Sequence, residues 1–428
     1  MQGACLPWVV GLCCLLLTLV TADSKPSITV DGSGTLFLNA SNRVVVNGVD
    51  VADLATVLRS LVRLSPELYL PQFESKIITT GAAFATAVAV ADLDGDGQLD
   101  VISSSANDDK VAWYRNTGDG TFSAENIIST TAKHAFSIYA ADLDNDGWLD
   151  ILSANAVDNT IVWYRNQANG SFAQHQAVIT ANAARAASVF AVDLDNDGKM
   201  DVLSASYGDD KVAWYHNTGN GTFSDQKVIT AAADGARSVF AADLDRDGRV
   251  DVLSASFEDD TIAWYRNLGN GAFSARSVIT SNADGATSVY AADLDGDGHP
   301  DVLSSSLADN TIAWYQNHGN GSFSPPKIIT NTASQAVSVY AADLDRDGHV
   351  DVISGSSADN KVAWFRNEGD GTFSVEIIIS TAANVVTFVR AADLDGDGDM
   401  DVLSASSGDN KIAWYPANTH LIEVLRRL

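Results

Sequence analysis

A unit of about fifty residues recurs seven times along the chain, and this repetition limits the possible folds more than any other feature. The tetrapeptide Ala-Asp-Leu-Asp recurs with its first aspartate at Asp92, Asp142, Asp243, Asp293, Asp343 and Asp393, and Val-Asp-Leu-Asp replaces it at Asp193. Each unit carries one tryptophan in an Ala-Trp-Tyr-like segment: Trp113, Trp163, Trp214, Trp264, Trp314, Trp364 and Trp414. The first six units continue through a Gly-rich turn to Phe122, Phe172, Phe223, Phe273, Phe323 and Phe373. Such sameness at a fixed period indicates one supersecondary unit stacked on its copies.

A single unit reads as four strands. In the fifth, Ser288-Val-Tyr-Ala-Ala is small and apolar and suits a crowded position, and Asp301-Val-Leu-Ser-Ser-Ser follows the acidic loop. Thr311-Ile-Ala-Trp-Tyr alternates β-branched and aromatic residues, and Phe323 to Thr330 closes the unit. Asp309-Asn310 and Asn320-Gly321 are the turns that hairpins favour. Four antiparallel strands at this period predict an all-β, seven-bladed propeller rather than a solenoid of parallel rungs. The ends support a ring. The seventh unit stops after Trp414-Tyr415 without its closing strand, and a spare copy, Phe73-Glu-Ser-Lys-Ile-Ile-Thr-Thr80, precedes the first unit. The expectation is that Phe73–Thr80 supplies the outer strand of the seventh blade, which leaves no open sheet edge. Neither a Gly-Gly kelch pattern nor a WD signature is present.

Between the first two strands of every unit lies an acidic loop with carboxylates at positions one, three, five and nine. These are Asp92, Asp94, Asp96 and Asp100; Asp142, Asp144, Asp146 and Asp150; Asp193, Asp195, Asp197 and Asp201; and Asp243, Asp245, Asp247 and Asp251. The last three loops hold Asp293, Asp295, Asp297 and Asp301; Asp343, Asp345, Asp347 and Asp351; and Asp393, Asp395, Asp397 and Asp401. Position six is always glycine, which permits the sharp turn. The residue at position seven, Gln98, Trp148, Lys199, Arg249, His299, His349 or Asp399, offers its backbone carbonyl. Hard oxygen donors in this number suit Ca²⁺ better than zinc or copper, and up to seven ions are expected. The loop is not an EF-hand. Position twelve holds Ser103, Ser153, Ser204, Ser254, Ser304, Ser354 or Ser404 instead of glutamate, and the flanks alternate as strands do. The loops also explain the formal charge of −29, because they hold 28 of the 55 acidic residues and leave 27 against 26 basic ones. The acidity therefore belongs to the loops, and a nucleic-acid partner, which needs a basic face, is not expected.

On these residues the chain resembles the FG-GAP/VCBS repeat family of calcium-dependent propellers, which includes integrin α-chain heads. The resemblance runs from about Phe73 to Tyr415 and rests above all on the Asp-x-Asp-x-Asp-Gly-x-x-Asp loop. It implies that the loop joins the first two strands of a blade and that its aspartates hold the metal. Without Phe-Gly or Gly-Ala-Pro motifs, and with a loop in all seven units, the looser VCBS-type group is the better match. Some similar fungal lectins bind sugars on such a propeller.

Outside the repeat, residues 1–22 form an apolar run without charge that ends in Val20-Thr21-Ala22, which is the pattern of a cleaved signal peptide; a retained anchor is the alternative. The expected location is therefore extracellular, secreted or at the cell surface. Cys5, Cys13 and Cys14 all lie in this segment, so the mature chain has no disulfide to stabilise it. In 23–72, Ile28-Thr-Val and Arg43-Val-Val-Val read as short strands, and Val51, Leu54, Val57, Leu58 and Leu61 as a helical stripe after Asp50. This extension is either a cap on the propeller or an oligomerising stem, and 416–428 is a tail with an undetermined role. Asn39, Asn169, Asn220 and Asn320 begin glycosylation sequons, the last three within the hairpin turns themselves.

The tryptophan row reads as packing between blades rather than a sugar platform, and Trp148, outside that row, as exposed. His134, His175, His216, His299, His318, His349 and His420 are scattered through the sequence, and the short loops before each first strand suggest no catalytic group. The expectation is a non-enzymatic extracellular binding or adhesion module for a glycan or protein ligand. The alternatives are a propeller-fold polysaccharide lyase or hydrolase and a purely structural surface or matrix protein.

Overall fold

The computed structural model describes residues 71–418, apart from 119, 174–175 and 220, together with four short strands near the N-terminus. The chain divides into two compact units, 1–71 with 418–428, and 72–417. In the first, Ser27–Val30 pairs antiparallel with Leu36–Asn39, and Val45–Val46 with Val49–Asp50. Of the strand expected at Arg43, Val45–Val46 is a strand, and Arg43 and Val44 lie outside the described residues. The expected signal segment, the helical stripe after Asp50 and the tail beyond 418 lie outside the described residues. Among the described residues no helix is long and apolar enough to cross a membrane.

The second unit consists of seven four-stranded antiparallel sheets. The fourth sheet is typical, with strands Ala236–Ala242, Asp251–Ser256, Thr261–Tyr265 and Ser277–Thr280 in spatial order. The seventh sheet contains Val386–Ala392, Asp401–Ser406 and Lys411–Tyr415, and its outer strand is Lys76–Thr79. The register Ile412↔Thr79, Ala413↔Ile77 and Trp414↔Lys76 is the ring closure expected from the spare copy. Phe73 completes the match. Phe122 stacks edge-on against Trp414 of the preceding blade, and Phe73 stacks in the same way against Trp364 of the sixth.

The core lies between neighbouring blades. Leu143, Leu152 and Trp163 of the second blade pack on Val189, Val202 and Tyr215 of the third. The second and third strands of a blade are covered on both faces, so even the serines of Asp201–Ser206 are buried. The serine at loop position twelve bonds the tyrosine of the third strand, as in Ser153 Oγ to Tyr164 Oη at 3.1 Å, and takes no part in the loop. In the sixth blade Phe365 stands in place of the tyrosine, and Ser354 Oγ has no hydrogen-bond partner. Along the axis, Tyr139, Phe190, Phe240, Tyr290 and Tyr340 follow one another at centroid distances of 4.6, 5.1, 4.5 and 4.9 Å. Arg390 continues the ring beside Tyr340.

Two side-chain clamps join the blades, one at each end of the inner strands. At the end that bears the acidic loops, the asparagine after the third strand reaches back one blade in six blades, and Ala417 takes its place in the seventh. Asn166 Nδ2 donates to Leu93 O at 2.8 Å and to Leu149 O of its own blade at 3.1 Å. Asn116 makes the same bond across the closure, to Leu394 O at 2.6 Å. At the other end, the second hairpin of each blade caps the next. Asn410 Oδ1 accepts from Phe84 N–H at 2.8 Å, and Asp109 Oδ1 from His134 N–H at 3.0 Å. This is the reason for Asp or Asn in that turn, where φ is positive (56° at Asn410).

Two outcomes follow from this architecture. Deleting 73–80 leaves the seventh blade with three strands and the sixth without its edge-on aromatic partner. Hydrogen exchange should then show protection lost first in Lys411–Tyr415; uniform protection across all blades would contradict the ring. Replacing Asn267 by alanine leaves Leu194 O and Val250 O without their buried donor. This should cost about 1–3 kcal/mol in equilibrium unfolding.

Candidate functional site

The acidic loops connect the inner strand of each blade to the second. Their backbone turns where the sequence has no side-chain objection: Gly97 sits at φ 86° with nothing within 4 Å of a notional Cβ, so conformation rather than space requires glycine there. The aspartate at position one then collects backbone donors from the far side of the turn. Asp92 Oδ1 accepts from Gly95 N–H at 2.8 Å and Oδ2 from Gly97 N–H at 2.9 Å. Asp96 Oδ1 accepts from Gln98 N–H at 2.9 Å. The turn thus gathers the side chains of positions one, three and five. In Asp92–Asp94–Asp96, Asp142–Asp144–Asp146 and Asp193–Asp195–Asp197, one oxygen from each carboxylate lies within 4.8 Å of the others, and Asp243, Asp245 and Asp251 form such a group with position nine.

Position nine has a second task. Asp100 is fully buried; its Oδ2 accepts from Leu93 N–H at 3.0 Å and its Oδ1 from Asn116 N–H at 2.8 Å. The same pair of bonds recurs in all the blades, in the seventh with Ala417 N–H to Asp401 Oδ1 at 2.8 Å. Burial pushes these carboxyls up, with backbone donors pulling the other way and loop aspartates mostly adding to the rise. They reach about 6 in Asp100, Asp201 and Asp251, about 7 in Asp150, Asp301 and Asp401, and about 8 in Asp351. The protein alone therefore disfavours the charge that its own turns assemble.

Hard oxygen donors are what remain available in the loops. Asp144, Asp195 and Asp395, all at position three, each keep a buried Oδ1 without a hydrogen-bond partner. A buried carboxylate oxygen in that state is costly unless a cation meets it. The clusters therefore fit a metal ion that prefers oxygen, with positions one, three, five and nine as its candidate holders.

One partner of the loops was not foreseen from the sequence. The residue between the tyrosine of the third strand and the clamp asparagine turns back over the loop. Arg115 Nε lies 2.5 Å from Asp94 Oδ2, and its Nη2 lies 2.9 Å from Asp96 Oδ2. Arg165, Arg266 and Arg366 repeat this fork, and Gln316 Nε2 takes Asp295 Oδ2 at 2.5 Å. His216 Nδ1 lies 2.9 Å from Asp195 Oδ2, and Pro416 occupies the place in the seventh blade. The only sequence signal was a position that stayed polar in six units between an aromatic residue and the asparagine. The side chains of position seven lie on neighbouring segments: His299 and His349 stand over Gly319 and Gly369 of their own blades' turns. Trp148, expected to be exposed, is half-buried because its ring covers Gly95 of the first loop. The tryptophan row is buried, with exposures of 0 to 6%, and is packing between blades as expected. Six of these rings lie over a turn of the next blade, as Trp163 does over Gly221, where a Cβ would come within 2.4 Å of the ring, and Trp364 meets Phe73 instead. Asn169 and Asn320 are exposed at their turns, Asn39 ends a strand, and Asn220 lies outside the described residues.

Three kinds of comparison bear on this geometry. The FG-GAP-like repeat matches at residues 92–153, 143–204, 193–254, 243–304, 299–354 and 343–404. No curated protein is significantly similar in sequence. Among solved structures, a lectin from Agrocybe aegerita that recognises non-reducing terminal N-acetylglucosamine aligns with TM-score 0.52 and 20% identity, over 69% of this chain and 80% of the lectin. BBS1N, solved in complex with ARL6DN, aligns with TM-score 0.57 and 13% identity, over 82% and 97%. A streptogramin B lyase aligns with TM-score 0.56 and 15% identity, over 82% and 98%. At these identities the structures share the fold alone. The repeat matches span most of the chain and begin in each case at or within an acidic loop, and the protein belongs to the FG-GAP-like repeat family.

Proposed function

We propose that this protein is an extracellular, calcium-binding propeller that serves as a non-enzymatic binding module for a glycan or protein ligand. The observation that carries the calcium half is the state of the loop carboxylates. Seven loops gather aspartates whose ninth member is pushed up by burial, and three loops retain a buried oxygen that none of the described residues satisfies. Calcium would supply the missing positive charge. Asp92, Asp94, Asp96 and Asp100 and their six sets of counterparts would hold it, with the carbonyl at position seven as a further donor. Seven divalent ions would bring the formal charge from −29 to −15. In a mature chain without cysteine, the ions take the stabilising place that disulfides hold in many secreted domains.

The binding half is supported by the fold, by family membership and by the lectin likeness. A rigid ring that repeats one sheet seven times presents many loops on a fixed frame, which suits recognition. The apolar leader 1–22 and the sequons at Asn169 and Asn320 are consistent with passage to the cell exterior.

The test is thermal unfolding as a function of metal and pH. The ninth-position carboxyls of the folded chain rise from 3.8 to about 6–8, so the metal-free folded state binds protons that the unfolded chain does not bind above about pH 4. Stability of the chelated protein should therefore fall as pH rises from about 4 to 8. Calcium should remove most of this loss, and its benefit should be larger at pH 8 than at pH 5. At calcium tenfold above Kd each site adds about 1.4 kcal/mol, so even a few coupled sites shift the midpoint by many degrees. A midpoint at pH 8 that is the same in calcium and in chelator would contradict the reading.

A further inference from the structure

The repeat varies at the ends of the inner strands opposite the acidic loops, and there the structure brings together residues that the sequence scatters. The positions just before and just inside the inner strands hold Phe84, His134, Phe136, Arg185 and Arg237 in the first four blades, where the last three have Gly285, Gln335 and Val385 before the strand and Thr287, Val337 and Thr387 inside it. Phe84, His134 and Arg185 take positive φ of 58°, 56° and 50°, conformations that cost something for such side chains and that glycine fills in two other blades. The side chains form one chain of contacts. Phe84 lies against His134, which stacks on Phe136 at 6.3 Å. The Arg237 guanidinium sits between the Phe136 and Phe257 rings, 5.5 and 5.4 Å from their centroids. The Arg185 guanidinium lies 4.5 Å over Tyr207, whose hydroxyl donates to Glu258.

These residues border two cavities at the mouth of the central channel, of about 280 and 160 Å³, which share Phe136, Ala187 and Arg237. Unlike the arginines of the acidic loops, neither Arg185 nor Arg237 has a carboxylate partner among the described residues. Burial holds the Arg237 guanidinium below its usual range. Two guanidinium groups without a counter-ion in a chain of charge −29 mark a place built for an anion from outside. The larger cavity adds donors of its own. Ser137, Ser188 and Ser238 Oγ each accept a backbone N–H from the next blade, at 3.3, 3.3 and 3.4 Å, and each has its hydroxyl proton left to give. Aromatic faces beside a ring of hydroxyl donors and paired guanidinium groups match a sugar that carries a carboxylate.

We infer that the mouth of the central channel, opposite the acidic loops, binds an acidic saccharide of the hexuronate class, with its carboxylate on Arg237 and Arg185. This inference rests on the binding-module reading above and names the ligand class within it. The test is calorimetric titration of the calcium-loaded full chain with galacturonate and glucuronate oligosaccharides and with the neutral oligosaccharides of the same linkage. The acidic series should bind at least tenfold more tightly than the neutral one. Arg237→Gln and, separately, the exposed Arg185→Gln should each weaken it at least tenfold with an unchanged melting midpoint. If Arg237→Gln lowers the midpoint, Arg185→Gln alone decides. Equal binding of acidic and neutral sugars, or binding indifferent to both substitutions, overturns the inference and leaves the binding module standing. Binding of no saccharide overturns it too and leaves only a protein ligand for the module.

Discussion

The buried aspartate at position nine of each acidic loop is the tie on which the ring depends. One of its oxygens holds the N–H of the leucine at position two, and the other holds the N–H of the residue two places after the third strand. That leucine in turn offers its carbonyl to the clamp asparagine of the following blade, as Leu93 does to Asn166. Loop, blade and junction therefore share one hydrogen-bond path, which passes from carboxylate to carboxylate across six of the seven junctions and is broken between the sixth and seventh blades, where Ala417 stands in place of the asparagine. A charge buried so deeply is unfavourable unless it is met, and the backbone donors meet it only in part. The loops are consequently both the connectors of the fold and the place where its electrostatic cost is concentrated. This couples the metal reading to stability: an ion in the loop would act on the same carboxylate that fixes the blade to its neighbour.

The two ends of the inner strands are treated differently by the sequence. At the loop end the positions that make the turn and the junction are repeated, because each loop must make both in the same way, and positions four, seven and eight vary. At the other end the backbone clamps are just as regular, but the side chains they carry are not. Phe84, His134 and Arg185 occupy positions whose N–H is capped by Asn410, Asp109 and Asn159 respectively, so the frame is held by the turns and the side chains are free to differ. A repeated scaffold that varies where its frame is already secured is suited to present one specific surface.

The sequence made the fold legible because a fifty-residue period with four strand-like segments and a misplaced closing strand admits few solutions. Lys76–Thr79 in the seventh sheet is where the spare copy required it to be. The grouping of the loop aspartates was equally visible, since their spacing alone turns alternate side chains inward. What was not visible depends on contacts between repeats. The asparagine clamp spans about 73 residues of sequence, as from Asn166 to Leu93, and nothing local marks it. The arginine fork over the loop comes from the far end of the third strand, and Trp148 is covered only because a neighbouring loop lies beneath it. The gathering of His134, Arg185 and Arg237 was hidden for the same reason: each stands alone in its own repeat, and only ring geometry brings them together.

The central claim is that every acidic loop is an ion site, the four with an arginine over them included. Native mass spectrometry of the chain, titrated with calcium and compared with a chelated sample, counts the ions directly. The account predicts up to seven bound Ca²⁺ per chain, with the count falling by one when a single loop loses its first and third aspartates, as in Asp293→Ala with Asp295→Ala. A chain that stays folded and carries no calcium at millimolar concentrations would show that these loops are turns held by backbone donors and arginine, and would contradict it.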